Sequence, residues 1–195
     1  MDSEVVTTAL GHDVHAIDTL MSGYQGITAG YLIAGERPCL VETGTARSAP
    51  QVQRALDSLG IGANDLATIA VTHIHLDHAG GVGDLAAAYP SAQIVVHQRG
   101  ARHLADPSTL MASARRVFGD LMDTVFGALA ATEADRIRAV DEVGEIDLGG
   151  GERRRSGDRA AEPRPARQAE RRRARSRATA LLAAQDRGKI GRAHV

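Results

Sequence analysis

The sequence predicts a layered α/β domain, and three observations carry that reading. Short apolar runs bounded by turn residues alternate with stretches whose apolar residues recur at helical spacing. The strongest run, Leu66 to Val71 (LATIAV), suits a strand buried on both faces. Directly behind it stands THIHLDHAGG, Thr72 to Gly81, which gathers His73, His75, Asp77 and His78 within six residues at a predicted strand end.

Taken in order, GYLIAG (Gly30 to Gly35) and CLVETG (Cys39 to Gly44) read as two strands joined by a turn around Glu36 to Pro38. Ala49 to Leu59 sets Val52, Ala55, Leu56 and Leu59 on one helical face, with Gly60 behind it as a stop. After the strand at Leu66 to Val71 the chain passes through the His segment into a Gly-rich helix start, Ala79 to Gly83. Asp84 to Tyr89 reads as a helix ended by Pro90, and Gln93 to His97 as a strand. Pro107 opens a helix whose Leu110, Met111, Ala114, Val117 and Phe118 share a face, and Leu121 to Ala131 continues as a second helix in a lid-like region. Arg136 to Val140 and Glu145 to Leu148 read as a hairpin returning to the sheet. This alternation places helices outside a sheet.

Each member of the His segment has an ordinary explanation on its own. A lone His beside a strand is usually a hydrogen-bonded surface or core residue, and Asp77 could cap the helix that follows. Together they resist that account, because three imidazoles and a carboxylate crowded at one strand end repel or bury one another without compensation. A divalent cation supplies it, and neutral imidazole with carboxylate is a donor set that zinc and similar borderline metals prefer. In extended chain, residues two apart point the same way, so His73 and His75 reach one metal while Asp77 and His78 project toward a neighbouring position. The glycines of AGGVG lack the spacing and the Lys of a phosphate-binding loop; they read as close backbone approach. Cys39 is the single cysteine, which rules out an internal disulfide, and it reads as a small core residue rather than a nucleophile. His97 and His103 fit a pocket wall, a support for ligands or a structural role, and His12 and His15 carry no motif.

THIHLDHAGG resembles the signature of the metallo-β-lactamase superfamily, whose members include glyoxalase II-type thioesterases, lactonases, β-lactamases and some nucleases. Glu42-Thr43-Gly44 stands where that family usually has Asp-Thr-Gly, a departure that bears on the hydrogen bonding of that loop alone, since the resemblance places the ligands elsewhere. The resemblance covers about Val5 to Gly150. It implies a four-layer αβ/βα sandwich, incomplete at its C-terminal half, with two metal ions at one edge of the sheets. The ions would be zinc, with iron or manganese as alternatives: His73 and His75 on the first, Asp77 and His78 on the second. The implied activity is a metallo-hydrolase in which a water, its pKa lowered to about 7 by the metal, attacks an ester, thioester or lactone carbonyl while Asp77 orients it or accepts its proton. The family's later Pro-Gly-His segment, bridging Asp and last His have no counterpart here: after His103 the one remaining histidine is His194, and Gly157-Asp158 matches only as a dipeptide.

Charge divides the chain into two expected units. Residues 1–150 hold nine Arg against nineteen Asp and Glu, whereas residues 151–195 hold thirteen Arg and one Lys against five acids. From Gly151 to Ala180 no apolar residue exceeds Ala in size, so this stretch is expected to be solvated rather than packed. One reading is a basic nucleic-acid arm, electrostatic and salt-sensitive because no aromatic is interleaved. The preferred one is a GC-rich gene read out of frame, since IGRAHV back-translates to a sequence resembling a common library adapter. The expectation is thus a truncated, frame-shifted hydrolase of impaired activity. The alternatives are an inactive fragment, a basic-tailed nucleic-acid-binding module or a nuclease of the same superfamily. The acidity of residues 1–150 argues against a nucleic-acid partner and for a small-molecule substrate. No apolar run is long enough for a membrane span, and MDSEVVTTAL lacks a basic start with an apolar core, so the expected location is cytoplasmic.

Overall fold

The computed structural model describes residues 5–141 and 144–149. Among these, seven strands form one sheet in chain order: β1 (Thr7–Gly11), β2 (Val14–Asp18), β3 (Ala29–Ile33), β4 (Cys39–Val41), β5 (Thr68–Ala70), β6 (Gln93–His97) and β7 (Ile137–Val140). Strands β1 to β4 pair antiparallel, and β4 to β7 pair parallel. Each parallel step needs a crossover. It is made by α1 (Ala49–Ser58), then α2 (Leu76–Ala79) with α3 (Val82–Ala88), then α4 (Gln98–Ala105) with α5 (Ser108–Phe118). Because the strands advance in one direction and such crossovers are right-handed, the helices gather on one face of the sheet.

The pleat sorts the side chains accordingly. Ile17, Leu32, Leu40, Ile69, Ile94 and Val96 point to the helix side and pack with Val52, Leu56, Val82, Leu85 and Leu104. Their neighbours along the strands, Ile33, Cys39, Val41, Ala70 and Val95, form a second buried cluster on the opposite face with Leu148. Strands β4 to β6 are therefore apolar on both sides, as the unbroken run at Leu66 to Val71 predicts. This is one α layer on one β layer, the first half of the expected sandwich; no second sheet occurs among the described residues.

Several predicted elements stand with trimmed ends. Helix α1 buries Val52, Ala55 and Leu56, and Gly60 at φ +79° stops it as expected. Strand β6 keeps its predicted bounds, and Pro107 caps α5. Other expectations are corrected. On α5, Leu110, Met111 and Ala114 pack against the core, but Val117 is 74 % and Phe118 42 % exposed. The second lid helix shrinks to a π-helical turn, Met122–Phe126, since Gly119 and Gly127 break the helical path on either side at φ +54° and +75°. The predicted hairpin is replaced: β7 pairs with β6 in parallel, and residues 144–149 run back irregularly, where the Arg37 N–H donates to Leu148 O at 3.3 Å. Strands β1 and β2 and helix α4 lie where patterning predicts no element. The expected unit at 151–195 lies outside the described residues.

Arg136 ties the last strand to the helix layer. Its guanidinium donates to the carbonyls of Ala86, Tyr89 and Ala92 at 2.6, 2.8 and 2.8 Å, satisfying the end of α3 and the turn after it. Replacing Arg136 by Met leaves those partly buried acceptors without donors and is expected to lower unfolding free energy by about 1–3 kcal/mol. Urea denaturation checks this; a midpoint unchanged from the parent chain would show that water replaces the guanidinium freely.

Candidate metal centre

In a parallel sheet the strand ends that carry ligands are the carboxyl ends, and here β4 and β5 deliver Glu42 and the His segment to the same edge. Strand β4 ends at Val41, and Glu42 turns the chain with φ +63°, a left-handed conformation that a non-glycine residue seldom adopts. Its N–H donates to Ala70 O at 2.9 Å. Thr43 then clamps the next element, since its N–H and hydroxyl both donate to His78 O at 2.8 Å. Two glycines permit this approach. A Cβ on Gly44 would lie 2.8 Å from Thr19 Cβ, and one on Gly80 would lie 2.8 Å from Ala46 N, so the Gly-rich stretch serves close backbone contact as the sequence suggests.

The side chains converge. Glu42 is only 3 % exposed, His73, Asp77 and His78 are half-buried, and His75 is exposed. One ligand atom each from Glu42, His73 and His78 lie within 4.8 Å of one another, a grouping that can hold a metal ion. The His73 ring lies 4.6 Å from that of His75 and 4.2 Å from that of His78, centroid to centroid. His78 Nε2 stands 3.4 Å from Asp77 Oδ2, which is about the separation of two ligand atoms each about 2.0–2.1 Å from one tetrahedral ion. On its other side His78 Nδ1 stands 3.4 Å from Glu42 Oε2. That distance is long for a hydrogen bond, and Glu42 Oε2 is a buried oxygen with no hydrogen-bond partner. Glu42 Oε1, by contrast, accepts from the Thr72 N–H at 3.1 Å and from the Thr72 hydroxyl. Crowded imidazoles and the Asp77 carboxylate beside them are a donor set that a borderline divalent metal would complete, and the orphaned Glu42 oxygen faces the ring of one of them.

Electrostatics separates the histidines. Burial first, and then the neighbouring His78 and His75 rings, hold His73 below the usual imidazole range. The facing Glu42 carboxylate outweighs burial and, with Asp77, holds His78 above it. Asp77 sits within α2, whose N-cap is His75 without a side-chain cap bond, so the capping explanation of Asp77 falls away. His97 is itself a cap, accepting from the Arg99 N–H at 3.2 Å, and His103 meets Arg102 Nε at 3.2 Å. Cys39 is fully buried with its thiol pushed up to about 12, which fits the core residue expected. Glu42 is the residue that sequence reasoning set outside the site. The signal was present, as a carboxylate between a strand and a Gly, but its meaning depends on a contact thirty residues away.

Residues 23–163 match the family described as the metallo-beta-lactamase superfamily. The chain belongs to that superfamily. Among solved structures, the superfamily fold recurs in a Cronobacter sakazakii metallo-beta-lactamase altered in its HARLDQ motif. It is 26 % identical with a TM-score of 0.55, over 75 % of this chain and 52 % of that one. A metallo-beta-lactamase superfamily protein from Sulfolobus tokodaii is 27 % identical with a TM-score of 0.58, over 70 % of this chain and 52 % of that one. A subclass B3 metallo-beta-lactamase from a soil metagenome library shares the fold at 24 % identity and a TM-score of 0.54, over 74 % of this chain and 49 % of that one. The chain thus spans about half the length of these superfamily structures. Among curated proteins, none matches it.

The raised His78 gives the superfamily site a pH signature. Ligation needs neutral imidazole, so a His78 that holds its proton to higher pH must release it on binding. Zinc affinity is expected to rise with pH through the elevated His78 range and level off above it, with proton release across the same window. His73, held low, adds nothing there. Calorimetric titration in buffers of different ionisation enthalpy measures the release, and affinity that stays flat across this window would contradict the assignment.

Proposed function

We propose that this metallo-hydrolase fold carries a metal-dependent hydrolase of a small ester, thioester or lactone. The observation that carries the reading is the grouping of Glu42, His73 and His78 at the carboxyl ends of β4 and β5, with the His75 ring beside His73 and the Asp77 carboxylate beside His78. In this reading His73 and His75 hold one metal, Asp77 and His78 a second, and zinc is the ion best matched to the donors, with iron or manganese as alternatives. Metal bound there supplies Lewis acidity and lowers the pKa of water to about 7.

The chain's own residues do the rest. The exposed His75 marks the open side of the cluster, by which a carbonyl can approach. Asp77 presents a carboxylate beside His78 and accepts the proton of the attacking water, aligning its lone pair with the carbonyl carbon. The net negative charge of residues 1–150 disfavours polyanionic substrates and supports a small, weakly charged one. A β-lactam is the second reading, favoured by the metallo-beta-lactamases among the similar structures, because a cyclic amide presents the same kind of carbonyl. No helix among the described residues is long and apolar enough to cross a membrane.

The test uses the full chain loaded with zinc against a generic thioester, a lactone and a chromogenic β-lactam. Asp77→Ala is expected to lower kcat about 10²- to 10⁴-fold, and His73→Ala with His75→Ala to lower bound zinc. Equal zinc content in the parent and the double variant contradicts the ligand assignment; turnover untouched by Asp77→Ala contradicts the role of the carboxylate.

A further inference from the structure

We infer that Glu42 is a positioning residue which sets the tautomers of both His73 and His78, so that each imidazole presents Nε2 to the cluster's centre. This rests on the metal reading above for its purpose, but not for its test.

A carboxylate oxygen only accepts, and Glu42 Oε1 takes both the Thr72 N–H, at 3.1 Å, and the Thr72 hydroxyl. A hydroxyl has one proton. With that proton committed to Glu42, Thr72 Oγ1 has only lone pairs left for the His73 Nδ1 that lies 2.9 Å away. His73 must therefore carry its proton on Nδ1, leaving the Nε2 lone pair free. The second carboxylate oxygen does the same for the other ring directly. Glu42 Oε2 is buried, without a hydrogen-bond partner, and 3.4 Å from His78 Nδ1. A bare Nδ1 there would set two acceptors face to face in a desolvated place, whereas an Nδ1–H gives the oxygen its nearest donor. His78 Nε2 is then unprotonated on the side where Asp77 Oδ2 lies 3.4 Å away, two lone pairs that a cation between them would join. One carboxylate thus orients two rings, one through Thr72 and one by direct contact.

Glu42→Gln keeps the shape and replaces one acceptor with a donor. Its carbonyl must face the Thr72 N–H, so its NH₂ faces His78 Nδ1, which then has to accept. Long-range ¹H–¹⁵N correlation spectra of the metal-free full chain, recorded above the imidazole titration range, read the tautomers. The parent chain is expected to show Nδ1–H at both His73 and His78. Glu42→Gln is expected to move His78 to the Nε2–H form and leave His73 unchanged; Thr72→Val is expected to free His73 and leave His78 unchanged. Nε2–H at either ring of the parent overturns the inference, as does a Glu42→Gln spectrum identical to the parent's. Should Glu42→Gln fail to fold, the parent spectrum and Thr72→Val decide. Zinc titration of the same samples keeps the two readings apart. Glu42→Gln is expected to weaken zinc binding about 10- to 100-fold, as loss of a ligand's supporting hydrogen bond does. Complete loss of zinc with unchanged tautomers would make Glu42 a direct ligand and overturn the positioning role. Correct tautomers in a parent chain that binds no zinc would keep the positioning role and remove the metal reading.

Discussion

Burying one carboxylate at the end of β4 is the constraint from which the arrangement of this edge follows. An ionised group as enclosed as Glu42 costs several kcal/mol unless donors or cations meet it. Both of its oxygens look to the segment leaving β5: one to Thr72, the other to His78. Glu42 reaches them from a left-handed backbone that itself costs about 1–2 kcal/mol, so the surroundings must over-determine it. They do so through Ala70 O, through the double grip of Thr43 on His78 O, and through the close passage of Gly44 and Gly80. A conformation held at such expense, beside half-buried imidazoles, is where strain and function coincide.

The sheet supplies the rigidity that this arrangement needs. Strands β4 and β5 are three residues long and fully buried, pinned between the helix-side core and the opposite apolar face. Their parallel register sets Val41 beside Ala70, so Glu42 and Thr72 emerge at a fixed separation. The chain bends at Thr72 and His73, His75 is extended, and a four-residue helix then returns His78 toward the carboxylate. Differences between these local conformations, extended and helical, allow one short segment to present ligands from several directions.

Sequence legibility followed the range of the interactions. The His segment was readable because its spacing is local, and β3 to β6 because strands buried on both faces leave unbroken apolar runs. Strands β1 and β2 were not: β1 is largely exposed, and their hairpin turns on His12 and Asp13, both at positive φ, without the usual Asn-Gly or Asp-Gly signal. Helix α4 buries only Gly100 and Leu104, too little to mark a face. Gly119 and Gly127 did announce the break that shortened the lid helix, whereas the parallel pairing of β7 with β6 is a non-local choice that strand patterning does not encode. Glu42 was visible as a departure from Asp but not as a member of the site, because its partners lie some thirty residues downstream.

X-ray absorption at the zinc edge of the full chain tests the central claim most directly, that these side chains form a metal centre. The account predicts a shell of nitrogen and oxygen at about 2.0–2.1 Å with the outer-shell scattering of imidazole rings, diminished when His73 and His78 are removed. A shell of oxygen alone, without imidazole scattering, would place the metal on carboxylates and water elsewhere and contradict the account.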